Sequence, residues 1–276
     1  EEVGKTQRDF YLKQQLKAIK EELGEADESI ALSNELEKKL KKKKMPKEAR
    51  EKVEKEIKRL EGMPSMSPEY SYIRTYVEWM LDVPWTEKTK DILDIKKSKE
   101  ILDADHYDLE KVKEHILDYL AVRKLKGKTT KGPILCFVGP PGVGKTTFAE
   151  SISKALDRNF GKISLGGMSD SAELVGHRRA YIGSNPGKIV TSLIKCGSNN
   201  PVFLLDEVDK LKKDYKGDPA STLLDILDVS QNKRFVDNYI DEEIDLSKIL
   251  FILTANDISN IPPALLDRLE IIDLTG

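Results

Sequence analysis

Apolar residues along this chain change their spacing near residue 130, and the change divides it in two. Before that point the spacing is helical. In RDFYLKQQLKAIKEELGE (8–25), Leu12, Leu16, Ile19 and Leu23 step by four, three and four, a narrow stripe on one face. Gly24 is a plausible stop. A second run, SIALSNELEKKLKKKK, ends before Pro46. A third opens at that proline and puts Ala49, Val53, Ile57 and Leu60 on one face. These read as long, coiled-coil-like helices that bury little alone and pack on one another or on a neighbour. The turn-rich GMPSMSP at 62–68 breaks the pattern. Tyr70, Ile73, Val77 and Met80 then recur at helical spacing and lead into LDVPW, where Trp85 reads as a packing anchor. DADHYDLEKVKEHILDYLAVRKLKG predicts a loop followed by an amphipathic helix carrying Val112, Ile116, Leu120 and Val122.

After residue 130 short β-rich segments alternate with helical ones. The strands predicted are 134–138, 162–165, 202–206, 249–254 and 270–274, with helices after Lys145, after Pro186 and from Pro219. Five strands separated by helices imply a parallel sheet covered on both faces, an α/β class. The expected organisation is a helical segment over 1–85, a connecting loop and helix over 86–128, and an α/β domain over 129–276.

Composition adds bounds. The 276 residues suffice for about two domains. A charged fraction of 34% nearly balanced in sign demands no nucleic-acid partner. The KKKK at 41–44 has acidic residues interleaved around it and reads as a solvated helix end. No apolar run approaches the ~18 residues of a membrane span, so no membrane partner is expected. Cys136 and Cys196 lack metal-ligand spacing and read as buried free thiols of an intracellular, cytoplasmic protein. The chain opens at Glu1 and stops at IIDLTG, which reads as a piece of something longer.

The chemistry begins at GPPGVGKTT. Gly139, Gly144, Lys145 and Thr146 fit G-x-x-x-x-G-K-[ST] between an apolar strand and a helix. Backbone N–H groups of Gly139, Gly142, Val143, Gly144 and the following helix start, with Pro140, Pro141 and Thr147 in the same run, would surround the phosphates of ATP (the prolines giving shape rather than a donor). Lys145 would reach the β- and γ-phosphates and Thr146 would ligate Mg²⁺. In PVFLLDEVDK, Asp206 and Glu207 stand at the end of a buried strand. Asp206 would hold the magnesium shell, directly or through water, and Glu207 would act as general base on the attacking water. The strand predicted between these motifs separates the arrangement from kinase-like P-loop proteins and points to ring-forming ATPases. ILFILTAN delivers Asn256 to the same strand edge, either to contact the γ-phosphate and orient water or merely to make a turn. IPPALLDRLE places Arg268 before the last strand, as a finger acting across a subunit boundary or as a local ion pair with Asp267. His106 and Tyr107 precede the domain where an adenine could pack.

One stretch answers to none of this. GHRRAYIGSNPG (176–187) is punctuated as a loop, yet carries Tyr181 and Ile182 near its middle. A loop tracking DNA displays Lys and Arg for phosphates. A grip on polypeptide needs a bulky apolar side chain. Arg178 and Arg179 leave the choice open, Tyr181–Ile182 favours polypeptide, and a tyrosine buried under its own loop is the remaining alternative.

With RDFYLKQQLKAIKEELGE, LDVPW, DADHY, GPPGVGKT, GHRRAYIG, DEVDK, GDPAS and IPPALLDRLE in view, the chain resembles the AAA+ module of the Lon family of ATP-dependent serine proteases. The resemblance covers essentially the whole chain. It departs at Asp108, where the family usually has glycine, and at Val229–Ser230, where proline and glutamate are usual. It implies a homohexamer with ATP and Mg²⁺ between subunits, Arg268 reaching into the neighbouring site, and Tyr181–Ile182 lining a central channel. It also implies misfolded or tagged protein substrates, a lid and a Ser–Lys protease domain beyond Gly276, and DNA as a secondary partner. An AAA+ motor remodelling nucleic acid and a chaperone-like binding module are the alternatives.

Overall fold

The computed structural model describes residues 15, 25–91, 94–126, 133–181, 183–211 and 218–274. The chain divides into two compact units, residues 1–82 and 83–276.

Among the described residues of the first unit there are three helices: Glu25–Lys42, Lys47–Glu61 and Pro68–Asp82. The run predicted on Leu12–Leu23 lies outside the described residues. Pro46 cannot continue the preceding helix but fits the start of the next, with φ −55°. Gly62 and Pro64 end the second in the same way. The three helices therefore fold back on one another and bury Leu36, Leu40, Ala49, Val53, Ile57, Leu60, Tyr76 and Met80. At the lysine-rich helix end, the Arg50 guanidinium donates to the Leu40 carbonyl (3.1 Å) and the Lys43 carbonyl (2.6 Å). These are carbonyls that a helix terminus leaves unpaired.

Among the described residues of the second unit there are seven strands: β1 Ile134–Val138, β2 Phe160–Ser164, β3 Val202–Asp206, β4 Phe235–Val236, β5 Glu243–Ile244, β6 Leu250–Ala255 and β7 Leu269–Asp273. Five form a parallel sheet in the order β2-β3-β6-β1-β7, the AAA+ α/β arrangement expected from the sequence. Side chains alternate across it. Leu135, Phe137, Leu204, Ile252 and Ile272 share one core with Leu102, Ile116, Leu120, Phe148 and Ile152. The helices Ile95–Asp105, Glu110–Lys126 and Lys145–Leu156 thus cover that face. Lys188–Cys196 packs beside β2 and buries Ile189, Val190 and Leu193.

Two elements go beyond the sequence expectation. The helix Ile95–Asp105 is lysine-rich with few apolar positions, and Asp94 caps it by accepting from the Lys96 N–H at 3.0 Å. The antiparallel pair β4–β5 has two residues per strand, too few for a period-2 pattern to register. Val122 and Leu125 are exposed, 46% and 86%, so the apolar face of Glu110–Lys126 stops at Leu120. Trp85 is buried and its carbonyl accepts from Asn199 Nδ2 at 3.1 Å.

Candidate functional site

Because β1, β6 and β3 are parallel neighbours, their carboxyl ends lie side by side, and the segments leaving them share one edge. β1 runs into Gly139–Gly144 and β6 into Asn256; β3 ends on Asp206 and Glu207. Two inter-strand spacings, about 10 Å, separate the loop from the acidic pair.

Gly139 is packed against the end of β7: a Cβ there would meet the Leu274 carbonyl oxygen at 2.4 Å. Gly144 takes φ +90° directly before the helix Lys145–Leu156, a backbone that other residues rarely adopt. Between them Pro140, Pro141 and Gly142 are exposed and Val143 is half-buried; in the helix that follows, Thr146 is half-buried and Thr147 exposed. Thr147 Oγ1 donates to the Gly144 carbonyl at 2.7 Å. Lys145 Nζ donates to the carbonyls of Gly139 and Pro140 (3.0 Å) and to Asn256 Oδ1 (2.8 Å), so the ammonium ties the loop to the end of β6. Burial pulls its pKa down from the ordinary lysine value, against the charges of Asp206, Asp209 and Glu207. An ammonium inside a glycine loop at a helix start forms an anion cradle of the shape a triphosphate needs.

The acidic pair is held from both sides. Asp206 Oδ2 lies 2.7 Å from Lys162 Nζ on β2, and its Oδ1 accepts from Thr254 Oγ1 on β6. Burial works against this charge, but the hydrogen bonds from Lys162 and Thr254 outweigh it and hold the carboxyl below the usual range. Asp206 is thus an anion at neutral pH, as a metal ligand must be. Glu207 has left-handed backbone, φ 63°. Its N–H donates to Thr254 Oγ1 at 3.1 Å, and its carboxylate pairs with Lys210. One buried hydroxyl therefore orients both acids. Asp209 follows a turn later; its Oδ2 accepts from the Asn256 N–H at 3.1 Å and fixes that asparagine in place.

Thr254 and Lys162 are residues the motif reading missed. Their only signal was a polar residue inside each predicted strand, and its meaning depends on β2, β3 and β6 being neighbours. Thr254→Val keeps the shape but strands the Glu207 N–H and one Asp206 oxygen. We expect ATP turnover to drop by about tenfold with about 1–3 kcal/mol lost from stability, checked by steady-state kinetics beside thermal melting.

Arg268 lies at the opposite edge. Its carbonyl accepts from the Ile134 N–H at 3.0 Å, level with the start of β1. β7 is five residues long, so the arginine stands about 17 Å along the sheet from the phosphate loop. Its guanidinium donates to the Leu224 carbonyl at 3.1 Å and lies 3.3 Å from Asp228; the ion-pair partner is thus Asp228, across the chain from the neighbouring Asp267.

His106 and Tyr107 part company. The His106 ring is buried, stacked on Phe148 with centroids 3.7 Å apart, and Nε2 lies 2.9 Å from Ser151 Oγ. Burial pushes its pKa down. Tyr107 is 98% exposed. Asp108 and Leu109 follow with φ 58° and 62°, so the position where the resembled family usually carries glycine does adopt glycine-like backbone. Cys136 and Cys196 are free, and burial pushes their thiols up to about 12 and about 11 (the Asp209 charge adding to the first).

Loop 176–187 leaves the short helix Ala172–Val175 and returns at Lys188. Tyr181 sits on a tight turn, with its N–H on the Arg178 carbonyl (3.1 Å) and the Ser184 N–H on its own carbonyl (3.2 Å). The ring is 66% exposed, so this tyrosine is not buried under its loop. Arg178 and Arg179 are exposed as well, and the Arg179 charge reaches Tyr239. Ile182 lies outside the described residues.

Comparison with known proteins agrees with this geometry. A family model described as "ATPase family associated with various cellular activities (AAA)" matches residues 135–275. The chain is 57% identical over 275 residues to a Lon protease of Dictyoglomus thermophilum, covering 100% of this chain and 35% of that protein. It is 54% identical over 281 residues to a Lon protease of Roseiflexus castenholzii, again with 100% and 35% covered. A Lon protease of Clostridioides difficile matches at 54% over 275 residues with the same coverage. The chain spans about a third of the length of these relatives. With a nucleotide-binding loop, an acidic strand end and an α/β sheet in that order, the chain belongs to the AAA family of ATPases and is similar along its whole length to part of the Lon proteases.

Proposed function

We propose that this chain is the ATPase motor of a Lon-type ATP-dependent protease, working as a homohexamer that pulls protein substrates through a central channel toward a Ser–Lys protease domain. The reading is carried by one juxtaposition: a lysine-centred phosphate loop beside a fixed acidic pair, and an exposed tyrosine on the loop that links β2 to β3. The proposed substrates are misfolded or tagged proteins in the cytoplasm. Among the described residues no helix is long and apolar enough to cross a membrane.

In this mechanism the loop 139–144 and the N-terminus of Lys145–Leu156 bind the β- and γ-phosphates, and Lys145 exchanges its loop carbonyls for phosphate oxygens. Thr146 and Asp206 would hold Mg²⁺, which when bound neutralises charge on the phosphates. Asn256 orients water from the strand end. Glu207 takes a proton from that water as it attacks the γ-phosphorus. Arg268, a strand's length from its own loop, serves the site of the next subunit. His106 and Tyr107 are proposed to border the adenine, the buried imidazole shaping the wall from behind and Tyr107 offering its free ring. Tyr181 and Ile182 pack on an extended polypeptide without regard to its sequence.

The test is Tyr181→Ala in the full-length protein. Removing an aromatic anchor from each subunit should slow degradation of a folded substrate by about 30-fold or more, far beyond any change in ATP turnover. Degradation at the parental rate would end the threading reading. Arg178 and Arg179 are proposed as scaffold or subunit contacts, and DNA as a secondary partner, supported by binding that weakens steeply with salt.

A further inference from the structure

The loop bearing Tyr181 is closed at its base by a residue fifty positions away. Asp237, in the turn between β4 and β5, is fully buried. Its Oδ2 accepts from the Gly187 N–H at 2.7 Å, and its Oδ1 accepts from the Tyr239 and Ile240 N–H groups at 2.8 and 3.1 Å. A buried carboxylate is costly unless hydrogen-bonded, and charge-assisted bonds from backbone are among the stronger kinds. The other end of the loop meets the same turn. The Asn238 N–H donates to the Val175 carbonyl at 2.7 Å, and its Nδ2 to the Gly176 carbonyl at 3.0 Å. The fit is close: a Cβ on Gly176 would meet Asp237 Oδ1 at 2.7 Å.

A path leads from here to the acidic pair. Gly187 is the residue before the helix Lys188–Cys196, which packs beside β2. β2 carries Lys162, the partner of Asp206. A displacement at Asp206 can therefore travel through β2 and that helix to Gly187. Whether it reaches Tyr181 depends on the loop's base: two free ends absorb the movement by pivoting, whereas two ends bonded to one turn must move together.

We propose that Asp237 is a positioning residue that makes loop 176–187 and the 235–244 hairpin one lever, so that movement driven by ATP hydrolysis is delivered to Tyr181 as force on the polypeptide. The inference rests on the threading reading and deepens it. Asp237 is assigned no contact with nucleotide or substrate in this proposal; it sets how much of each hydrolysis step becomes work.

The measurement is the number of ATP molecules consumed per molecule of folded substrate degraded, in the full-length protein, for Asp237→Ala, Asp237→Asn and Tyr181→Ala side by side. A fraction of misfolded enzyme lowers both rates together and leaves this ratio unchanged. We expect Asp237→Ala, which strands three buried N–H groups, to raise the ratio by about tenfold or more. Asp237→Asn keeps one acceptor oxygen for Gly187 and should raise it by about threefold. If the alanine variant does not fold, the isosteric asparagine decides alone. A ratio within about 1.5-fold of the parent in Asp237→Asn, with Tyr181→Ala inactive, overturns the lever while leaving threading intact. Normal degradation by Tyr181→Ala overturns the threading reading whatever Asp237 does.

Discussion

Glu207→Gln should bind ATP and hold it, with hydrolysis slowed by about 10²- to 10⁴-fold, the range that a positioned general base supplies. The argument is geometric. The Glu207 N–H is fixed by Thr254, the residue directly follows Asp206 at the end of β3, and its carboxylate pairs with Lys210 and lies against Gly166. Glutamine has the same shape and tolerates the same backbone, so binding and folding should persist while the proton acceptor is gone. The check is single-turnover hydrolysis beside equilibrium nucleotide binding. Full turnover in this variant would remove Glu207 as the base, and loss of binding would show that its charge organises the site instead.

The second large effect concerns Arg268. Alanine there should reduce turnover by about 10³-fold, the lower range for an arginine finger, although every group at the phosphate edge of the same subunit stays in place. The distinguishing result comes from mixing. Glu207→Gln subunits retain Arg268, and Arg268→Ala subunits retain Glu207, so a ring assembled from both contains some sites with both groups intact. Activity should reappear in the mixture although each variant alone is inactive. Mixed rings without recovered turnover would place Arg268 in its own subunit as a clamp on Leu224 and Asp228, which is where its guanidinium bonds within one chain.

How much of this was legible in the sequence follows from distance along the chain. The phosphate loop was legible because its glycines, Lys145 and Thr146 are consecutive and lie between a strand and a helix. The parallel sheet was legible because each strand is a short apolar run with a helix behind it. Thr254, Lys162 and Asp237 were not. Each acts on a residue forty or more positions away, and nothing local distinguishes a threonine that orients two acids from one filling a strand. The helix Ile95–Asp105 was missed for a different reason: of its residues only Ser98 and Leu102 are buried, so its face has too few apolar positions to show a period. Arg268 was found by position, with a finger across a subunit boundary and a local ion pair with Asp267 left as alternatives. The neighbour in sequence was Asp267, whereas chain folding brings Asp228 to it.

The backbone of Glu207 carries one more implication, for anyone redesigning this module. At φ 63° a glycine would sit with less strain than any residue bearing a Cβ, by about 1 kcal/mol or more. Ranked by folding stability alone, glutamate is therefore a poor choice at position 207. A procedure that optimises heat resistance residue by residue is expected to select its replacement, and with it to lose the general base proposed for ATP turnover. Stability screens of this chain should hold that position constant, and the same gap between local comfort and local chemistry marks it as a residue kept for what it does.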